Sequence, residues 1–249
     1  MTSPAAILRK HASTASTAVE GVTSEVTSDS ARKSGTASKS RKGAHTAVDS
    51  SRLATDDYRE LSLADLLDRL SADGLAPGGG SAAALTVAFA ARLVAMVSRC
   101  SPTWSEAAGV VAQANAIGDR AVELAHTDGQ AWENALVALR DAEAGAGDDP
   151  RKGFALEQKL EAAAAAPLEI ASLGADTAEL AALAAEHGEP TYRADAAAAA
   201  ALAAGGASAA AHLVRVNLGV RAADPRLGRA LTSENAAHEV ASRLRESLR

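Results

Sequence analysis

The sequence predicts an all-α fold, a bundle of six or seven helices of uneven length. Alanine and leucine, which favour helices, dominate the chain from Leu61 onward, and the alternating pattern of strands is nearly absent. Patterns that cap helix ends recur along the same stretch. Trp, Tyr and Phe number only two each in 249 residues, so Ala, Leu and Val must fill the core and helix axes can approach closely.

Residues 1–55 differ in composition from the rest. They are rich in Ser, Thr, Ala and Lys and hold few large apolar side chains, so they cannot bury enough surface to offset the entropy of ordering. We expect a disordered tail over 1–55 and a helical domain over 56–249. The tail is basic, which is typical of an arm for nucleic acid or lipid, of a transit peptide, or of a solvated segment without a partner. Its scattered charges favour the last.

The first two helices of the domain are predicted from their ends. Residues 62–65, Ser-Leu-Ala-Asp, resemble a capping box, in which a serine and an acid satisfy backbone donors at a helix start. Gly74 and Pro77 then end this short helix. Ser81, or a glycine just before it, begins a second helix that runs to about Cys100.

The third helix is predicted to begin at another capping-box pattern, Thr-Trp-Ser-Glu at residues 103–106, and to end near Arg140. Residues 144–149, rich in Gly and Asp, are typical of a loop. Aspartate followed by proline places an N-cap before a first helical position, which predicts further helix starts at Pro150 and Pro225.

The segment 186–190, Glu-His-Gly-Glu-Pro, separates a helix that ends near His187 from another over about residues 194–218. The later helix contains the run 196–211, which is mostly alanine with glycine and serine inside it. This run is shorter than the ~20 strongly apolar residues of a membrane span. It therefore predicts a buried helix whose small residues permit close packing, and no membrane partner.

Composition also bears on compartment and partners. The single cysteine, Cys100, cannot form an internal disulfide, and we see no secretory signal, so we expect a cytoplasmic protein. The acidic domain argues against nucleic-acid binding, which needs a positive surface. Extended apolar helix faces in an alanine-rich domain of this size predict a homodimer.

Residues 77–81, Pro-Gly-Gly-Gly-Ser, lie directly before the second helix. They are close to the dinucleotide-binding fingerprint, but that motif follows a strand, and a P-loop would require a lysine. Glycines at a helix start expose backbone N–H groups and the positive end of the helix dipole to a ligand such as a carboxylate. A tight turn between two helices explains the same residues, so both interpretations stay open on this pattern alone.

Residues 62–97, a short helix, the glycine cluster and an Ala-rich helix, resemble the opening of the cyclodeaminase and cyclohydrolase family. These helical folate enzymes are related to the C-terminal domain of formiminotransferase-cyclodeaminase and to bacterial methenyltetrahydrofolate cyclohydrolases. Residues 123–136 and 184–218 are also similar to family segments. Together they match the family at Asp128, Trp132, Gly188, Asp195 and Asn217.

The resemblance implies an all-helical homodimer that binds a tetrahydrofolate derivative, with no cofactor beyond this substrate. It implies that Asp128 is the catalytic acid-base group. The substrate-binding residues that it implies are Pro77, Gly78, Gly79, Gly80, Ser81, Asp195 and Asn217.

The sequence departs from the family pattern in two places. Glu189 stands where the family usually has asparagine, and residues 140–153 replace an element that contains a lysine. If that lysine contacts the glutamate tail of the folate, Arg151 or Lys152 is the candidate to replace it.

In this chemistry one carbon bridges two folate nitrogens as an amidinium-like cation, and both family reactions pass through a tetrahedral carbon. A positioned carboxylate can move protons between the nitrogens or water for about 10² to 10⁴-fold in rate and can favour the cation. We hypothesise that Asp128 does this, and that Asp195 holds the amide-amidine edge of the pterin or orients Asp128. No metal is expected, because the histidines and Cys100 lack the spacing of ligands.

The preferred prediction is hydrolysis of 5,10-methenyltetrahydrofolate to 10-formyltetrahydrofolate, because the chain shows no formiminotransferase domain. The first alternative is formiminotetrahydrofolate cyclodeaminase, an ammonia-lyase. The second is a catalytically silent helical protein that binds folate or acts as a scaffold.

Overall fold

The computed structural model describes residues 57–72, 77–143, 150–218 and 223–247, all within the compact unit Ala54–Arg249. The tail predicted over 1–55 and the loop predicted over 144–149 lie outside the described residues. The described residues form seven α-helices: α1 (Leu63–Ser71), α2 (Gly79–Arg99), α3 (Ala107–Glu143), α4 (Pro150–Ala163), α5 (Ala165–His187), α6 (Arg193–Leu218) and α7 (Pro225–Ser247). Short 3₁₀ turns, Tyr58–Glu60 and Pro190–Tyr192, precede α1 and α6. The prediction of an all-α fold is confirmed.

The helix ends agree with the sequence patterns at most positions. Ser62 caps α1 by accepting a hydrogen bond from the backbone N–H of Asp65 at 3.1 Å, and its hydroxyl donates to the Asp65 carboxylate at 2.6 Å. The Asp224 carboxylate likewise accepts from the backbone N–H of Arg226 at 2.9 Å and caps α7. In both places a short polar side chain satisfies a donor that the first helical turn leaves unpaired.

The start of α3 differs from the prediction. The helix begins at Ala107, because the side chains of the expected capping box have other partners. Thr103 donates to the Glu189 carboxylate at 3.4 Å, and Ser105 donates to Glu106 at 2.6 Å. The capping pattern was therefore wrong here, since one of its two side chains is held by a residue 86 positions away.

Close contacts between small residues hold the centre of the bundle. α6 packs against α2, α5 and α7, and α3 also packs against α2. A Cβ atom on Gly206 of α6 would lie 2.7 Å from Val87 Cγ2 of α2, and one on Gly174 of α5 would lie 2.8 Å from the Ala207 methyl group. These helices reach their observed separation only because a glycine stands at each crossing.

Two segments, Gly79–Arg99 and Pro190–Leu218, are long and apolar enough by composition to cross a membrane. In the structure, however, 61% and 50% of their most apolar windows are buried inside the protein. Burial of this kind is ordinary for core helices, so these helices are weak evidence for a membrane span.

Gly206→Ala is expected to lower the free energy of unfolding by about 1–3 kcal/mol, because the added methyl group overlaps Val87 and forces α2 and α6 apart. Its neighbour Gly205 is exposed, and a methyl group added there would meet nothing within 4 Å. Gly205→Ala should therefore raise stability by up to about 1 kcal/mol through helix propensity. Unfolding in denaturant measures the free energy of unfolding of both variants. Equal effects of the two substitutions would contradict the role of Gly206 in the close approach of α2 and α6.

Candidate active site

A cavity of about 200 Å³ opens where four helices meet. The first turn of α2, the middle of α3, the last residue of α4 and the last turns of α6 form its wall. Its lining residues are Gly78, Gly79, Gly80, Asp128, Gly129, Trp132, Ala163, Leu213, Val216 and Asn217. The glycine cluster and Asp128 therefore face one cavity, although they lie on different helices and far apart in the chain.

Asp128 is the buried acid of this cavity, with 8% of its surface exposed. None of the described residues donates a hydrogen bond to its carboxylate, and burial alone raises its pKa from 3.8 to about 6. A carboxyl group with such a pKa exchanges its proton close to neutral pH. Asp128 can therefore both give and accept a proton under ordinary conditions.

Gly80 makes room for this carboxylate. A Cβ atom on Gly80 would overlap the Asp128 carboxyl group, whereas one on Gly79 would meet nothing within 4 Å. Of the three consecutive glycines, Gly80 is thus the one whose missing side chain brings the acid onto the start of α2. This contact gives the glycine cluster a role beyond that of a turn.

The start of α2 presents donors to the cavity. Gly78 is its N-cap, in an extended conformation and without a side-chain cap, and the first helical hydrogen bond runs from Ala82 N to Gly78 O at 3.0 Å. The N–H groups of Gly79 and Gly80 precede that bond and have no partner within the helix. They are available to an acceptor on a ligand, and the helix dipole favours negative charge there.

Ser81 and Pro77 support the cavity without lining it. Ser81 is fully buried, and its hydroxyl donates to the backbone oxygen of Ala125 in α3 at 2.7 Å. This bond joins the first turn of α2 to the turn of α3 that precedes Asp128. Pro77 is buried directly before the glycine cluster.

Asn217 closes the far side of the cavity. It is 7% exposed, and its side-chain amide donates to the backbone oxygen of Ala163 at 2.9 Å. The bond holds the end of α4 against the end of α6, while the side-chain oxygen of Asn217 stays available as an acceptor. Leu213 and Val216 lie one turn and one residue before it and line the same wall.

The formiminotransferase-cyclodeaminase family model matches residues 62–235, most of the described chain. The chain belongs to this family. The family resemblance noted from the glycine cluster is thereby confirmed. Among solved structures, the crystal structure of formiminotetrahydrofolate cyclodeaminase from Thermotoga maritima is similar, with a TM-score of 0.66 and 20% sequence identity. The alignment covers 76% of this chain and 96% of that chain, and no curated protein matches.

Family membership does not bring every predicted site residue to the cavity. Asp195 is partly exposed in the first turn of α6, whereas Asn217 lies next to the last residue of the same helix. At about 1.5 Å of rise per residue, roughly 33 Å separates the two. Within one chain, Asp195 therefore neither contacts Asp128 nor shares a ligand of ordinary size with it.

Two other groups of the site were less visible in the sequence. Trp132, which the family resemblance had matched, lies one helical turn after Asp128 and lines the cavity. Leu213 could have been found by the same spacing rule counted back from Asn217, whereas Val216, the direct neighbour of Asn217, could not. In the part of the chain that the structure describes, no three His, Cys, Asp or Glu side chains come together as metal ligands would.

The raised pKa of Asp128 predicts how the free energy of unfolding changes with pH. Because the folded protein holds this proton more tightly than the unfolded chain, wild-type stability should fall as pH rises from about 4 to about 6. Asp128→Asn removes the buried charge and should be more stable than the wild type at pH 7, by up to about 3 kcal/mol. The difference should disappear below about pH 4.

Unfolding of both proteins in urea across a pH range of about 3 to 8 measures this effect. Asp141→Asn is the matched control, because Asp141 lies on the same helix with its side chain exposed. If the difference in free energy of unfolding between the wild type and Asp128→Asn stays constant from about pH 4 to about pH 6, the raised pKa of Asp128 is contradicted.

Proposed function

We propose that the chain is a folate one-carbon enzyme that converts formiminotetrahydrofolate to methenyltetrahydrofolate with release of ammonia. The observation that carries the proposal is a buried carboxylate without a hydrogen-bond partner among the described residues, held over a glycine helix start in a cavity lined by Trp132. The family model and the similar Thermotoga structure both carry the cyclodeaminase activity in their names. This support reverses the preference for hydrolysis that the sequence suggested.

The reaction needs one proton to move between two nitrogens. In the protonated formimino group, the folate N10 attacks the formimino carbon, and a tetrahedral carbon forms between N5, N10 and the amino group. N10 must then lose a proton and the amino group must gain one, after which the C–N bond to the amino group breaks and ammonia leaves. The product is the methenyl cation that bridges N5 and N10.

Asp128 is suited to carry that proton. Its pKa of about 6 lets the carboxylate take the proton from N10 and return it to the departing amino group near neutral pH. In its ionised form it also lies beside the cationic carbon, where the low polarity of the cavity strengthens the attraction. A carboxylate already bound by hydrogen-bond donors would transfer the proton less readily and would attract the cation less strongly.

The remaining lining residues suit the pterin part of a folate. Trp132 offers a flat aromatic wall, and the side-chain oxygen of Asn217 can accept a hydrogen bond from an N–H group of the pterin. The N–H groups of Gly79 and Gly80 can donate to its carbonyl oxygen. The cavity is too small for a whole folate, so the benzoyl-glutamate tail would extend beyond it.

When purified protein is given formiminotetrahydrofolate, methenyltetrahydrofolate is expected to form, which is followed by its absorbance. One ammonia should be released for each methenyltetrahydrofolate formed. Asp128→Asn should lower kcat about 10² to 10⁴-fold because it cannot move the proton. Asp141→Asn should keep the wild-type rate. A decrease in added methenyltetrahydrofolate without ammonia release would instead assign hydrolysis, and no turnover of either folate would overturn the proposed enzyme.

We also propose that the protein is a cytoplasmic homodimer. Phe89 of α2 and Leu202 of α6 are 60% and 42% exposed, and both belong to core helices rather than to surface loops. Apolar side chains in such positions are typical of helix faces that a second copy covers.

Light scattering after gel filtration is expected to give twice the 25.1 kDa mass of one chain. Phe89→Ser should shift the mass toward that of one chain, since it removes an apolar contact from the interface. Phe154→Ser is the control, because Phe154 is equally exposed but lies on the peripheral helix α4. A single-chain mass for the wild type would contradict the dimer.

A further inference from the structure

The last carbonyl group of α4 has no helical donor. α4 ends at Ala163, and α5 begins at Ala165 after a single turn residue. The residue four positions after Ala163 is Pro167, which has no backbone N–H, so the Ala163 oxygen cannot receive the usual helical hydrogen bond. The side-chain amide of Asn217 donates to this oxygen instead, at 2.9 Å. The orientation of Asn217 in the cavity therefore depends on where the end of α4 lies.

Arg226 links this end of α4 to the start of α7. Its Nε donates to Asp224 Oδ1 at 3.0 Å, and its Nη2 donates to Asp224 Oδ2 at 2.7 Å. Nη2 also donates to Oε1 of Glu161, two residues before Ala163, at 2.9 Å. Because Asp224 caps α7 as well, the guanidinium is held at the start of that helix while it binds the last turn of α4.

This ion pair is more directional than an ordinary surface pair. The side chains of Arg226 and Asp224 are only 21% and 8% exposed, so water screens their charges less than at the surface. The two-point bond with Asp224 fixes the plane of the guanidinium, and little further side-chain freedom is lost in the bond to Glu161. Neither Arg226 nor Glu161 is among the residues that line the cavity.

Apolar packing also holds the end of α4, but it does not fix its direction. Ala164 packs into a small buried cluster with Val214 and Leu218 of α6 and Ala230 of α7. Contacts of this kind are non-directional, so they keep the helix end close without setting its rotation. The hydrogen bonds on Glu161 and on the Ala163 oxygen supply that direction.

We propose that the ion pair between Arg226 and Glu161 positions Asn217 for the substrate. By fixing the last turn of α4, the pair keeps the Ala163 oxygen in place as the acceptor of the Asn217 amide. The side-chain oxygen of Asn217 is then left to accept from an N–H group of the pterin. The inference rests on the proposed function, and it concerns the binding of the folate rather than the proton transfer by Asp128.

The test is Glu161→Ala, which removes the carboxylate and leaves Arg226 paired with Asp224. Glu169→Ala is the matched control, because Glu169 also binds a guanidinium between two helices. Its carboxylate accepts from Arg120 at 2.6 and 2.9 Å and is absent from the cavity wall. The side chains of Glu161 and Glu169 are 39% and 42% exposed, so the two substitutions remove ion pairs of similar burial.

Three quantities are measured for the full-length protein. They are kcat and KM with formiminotetrahydrofolate, the free energy of unfolding in urea, and the hydrogen-exchange rate of the Asn217 side-chain amide. The exchange rate is followed by ¹⁵N NMR, with the signal assigned through Asn217→Ala.

Glu161→Ala should raise KM about three- to tenfold with kcat nearly unchanged, because it weakens a hydrogen bond made equally in the ground and transition states. Exchange of the Asn217 amide should become severalfold faster, since its bond to Ala163 opens more often. Glu161→Gln keeps an oxygen that accepts from Arg226 and should restore KM to within about twofold of the wild type. Glu169→Ala should lower the free energy of unfolding by a similar amount and leave KM and the exchange rate unchanged.

The double variant of Glu161→Ala with Asn217→Ala should have the KM of Asn217→Ala alone, because Glu161 acts through Asn217. A further rise of KM in the double variant would overturn the inference. So would a Glu161→Ala protein that matches Glu169→Ala in KM or in the exchange rate of the Asn217 amide.

Two further outcomes are covered by the same measurements. If Glu161→Ala does not fold, Arg226→Gln decides the question in the same way, because the cap of α7 uses the backbone N–H of residue 226 and is kept. If the wild type turns over neither folate, the proposed function fails, while the exchange rate of the Asn217 amide still decides whether the ion pair holds Asn217.

Discussion

The contact between the Asp128 carboxylate and Gly80 is the constraint on which the site depends. A carboxyl group reaches the first turn of α2 only where that turn lacks a side chain, and it keeps a raised pKa only where no donor is bonded to it. Both conditions come from backbone placement.

Small residues make that placement possible throughout the bundle. Gly174 and Gly206 let α5, α6 and α2 approach until side chains meet backbone, and alanine fills most of the space between them. Large side chains would separate these helices and would move the end of α6, with Asn217, away from the glycine cluster. The close packing of the core therefore also determines the shape of the cavity.

Local patterns predicted most of the fold. Gly188 indicated the end of α5, where its N–H bonds to the Ala184 oxygen, and the Asp-Pro pair at 224–225 indicated the start of α7, because these end contacts are made by near neighbours in sequence. The start of α3 was wrong because Thr103 bonds to Glu189, a partner that only the fold supplies.

The site was predicted unevenly for the same reason. The family resemblance singled out Asp128 and the glycine cluster, and the structure places them together. Asp195 was grouped with them although the predicted helix over 194–218 already implied a long separation from Asn217.

The alanine core has a consequence for how this protein can change over time. Positions such as Ala84, Ala91, Ala200 and Ala207 have no exposed surface, and almost every replacement for alanine is larger. In a core of leucine and phenylalanine, most substitutions leave a void that neighbours can partly fill, whereas here most would force the helices apart. Sequence drift in the interior is therefore confined to glycine and serine, and divergence among proteins with this packing must accumulate on the outer helix faces.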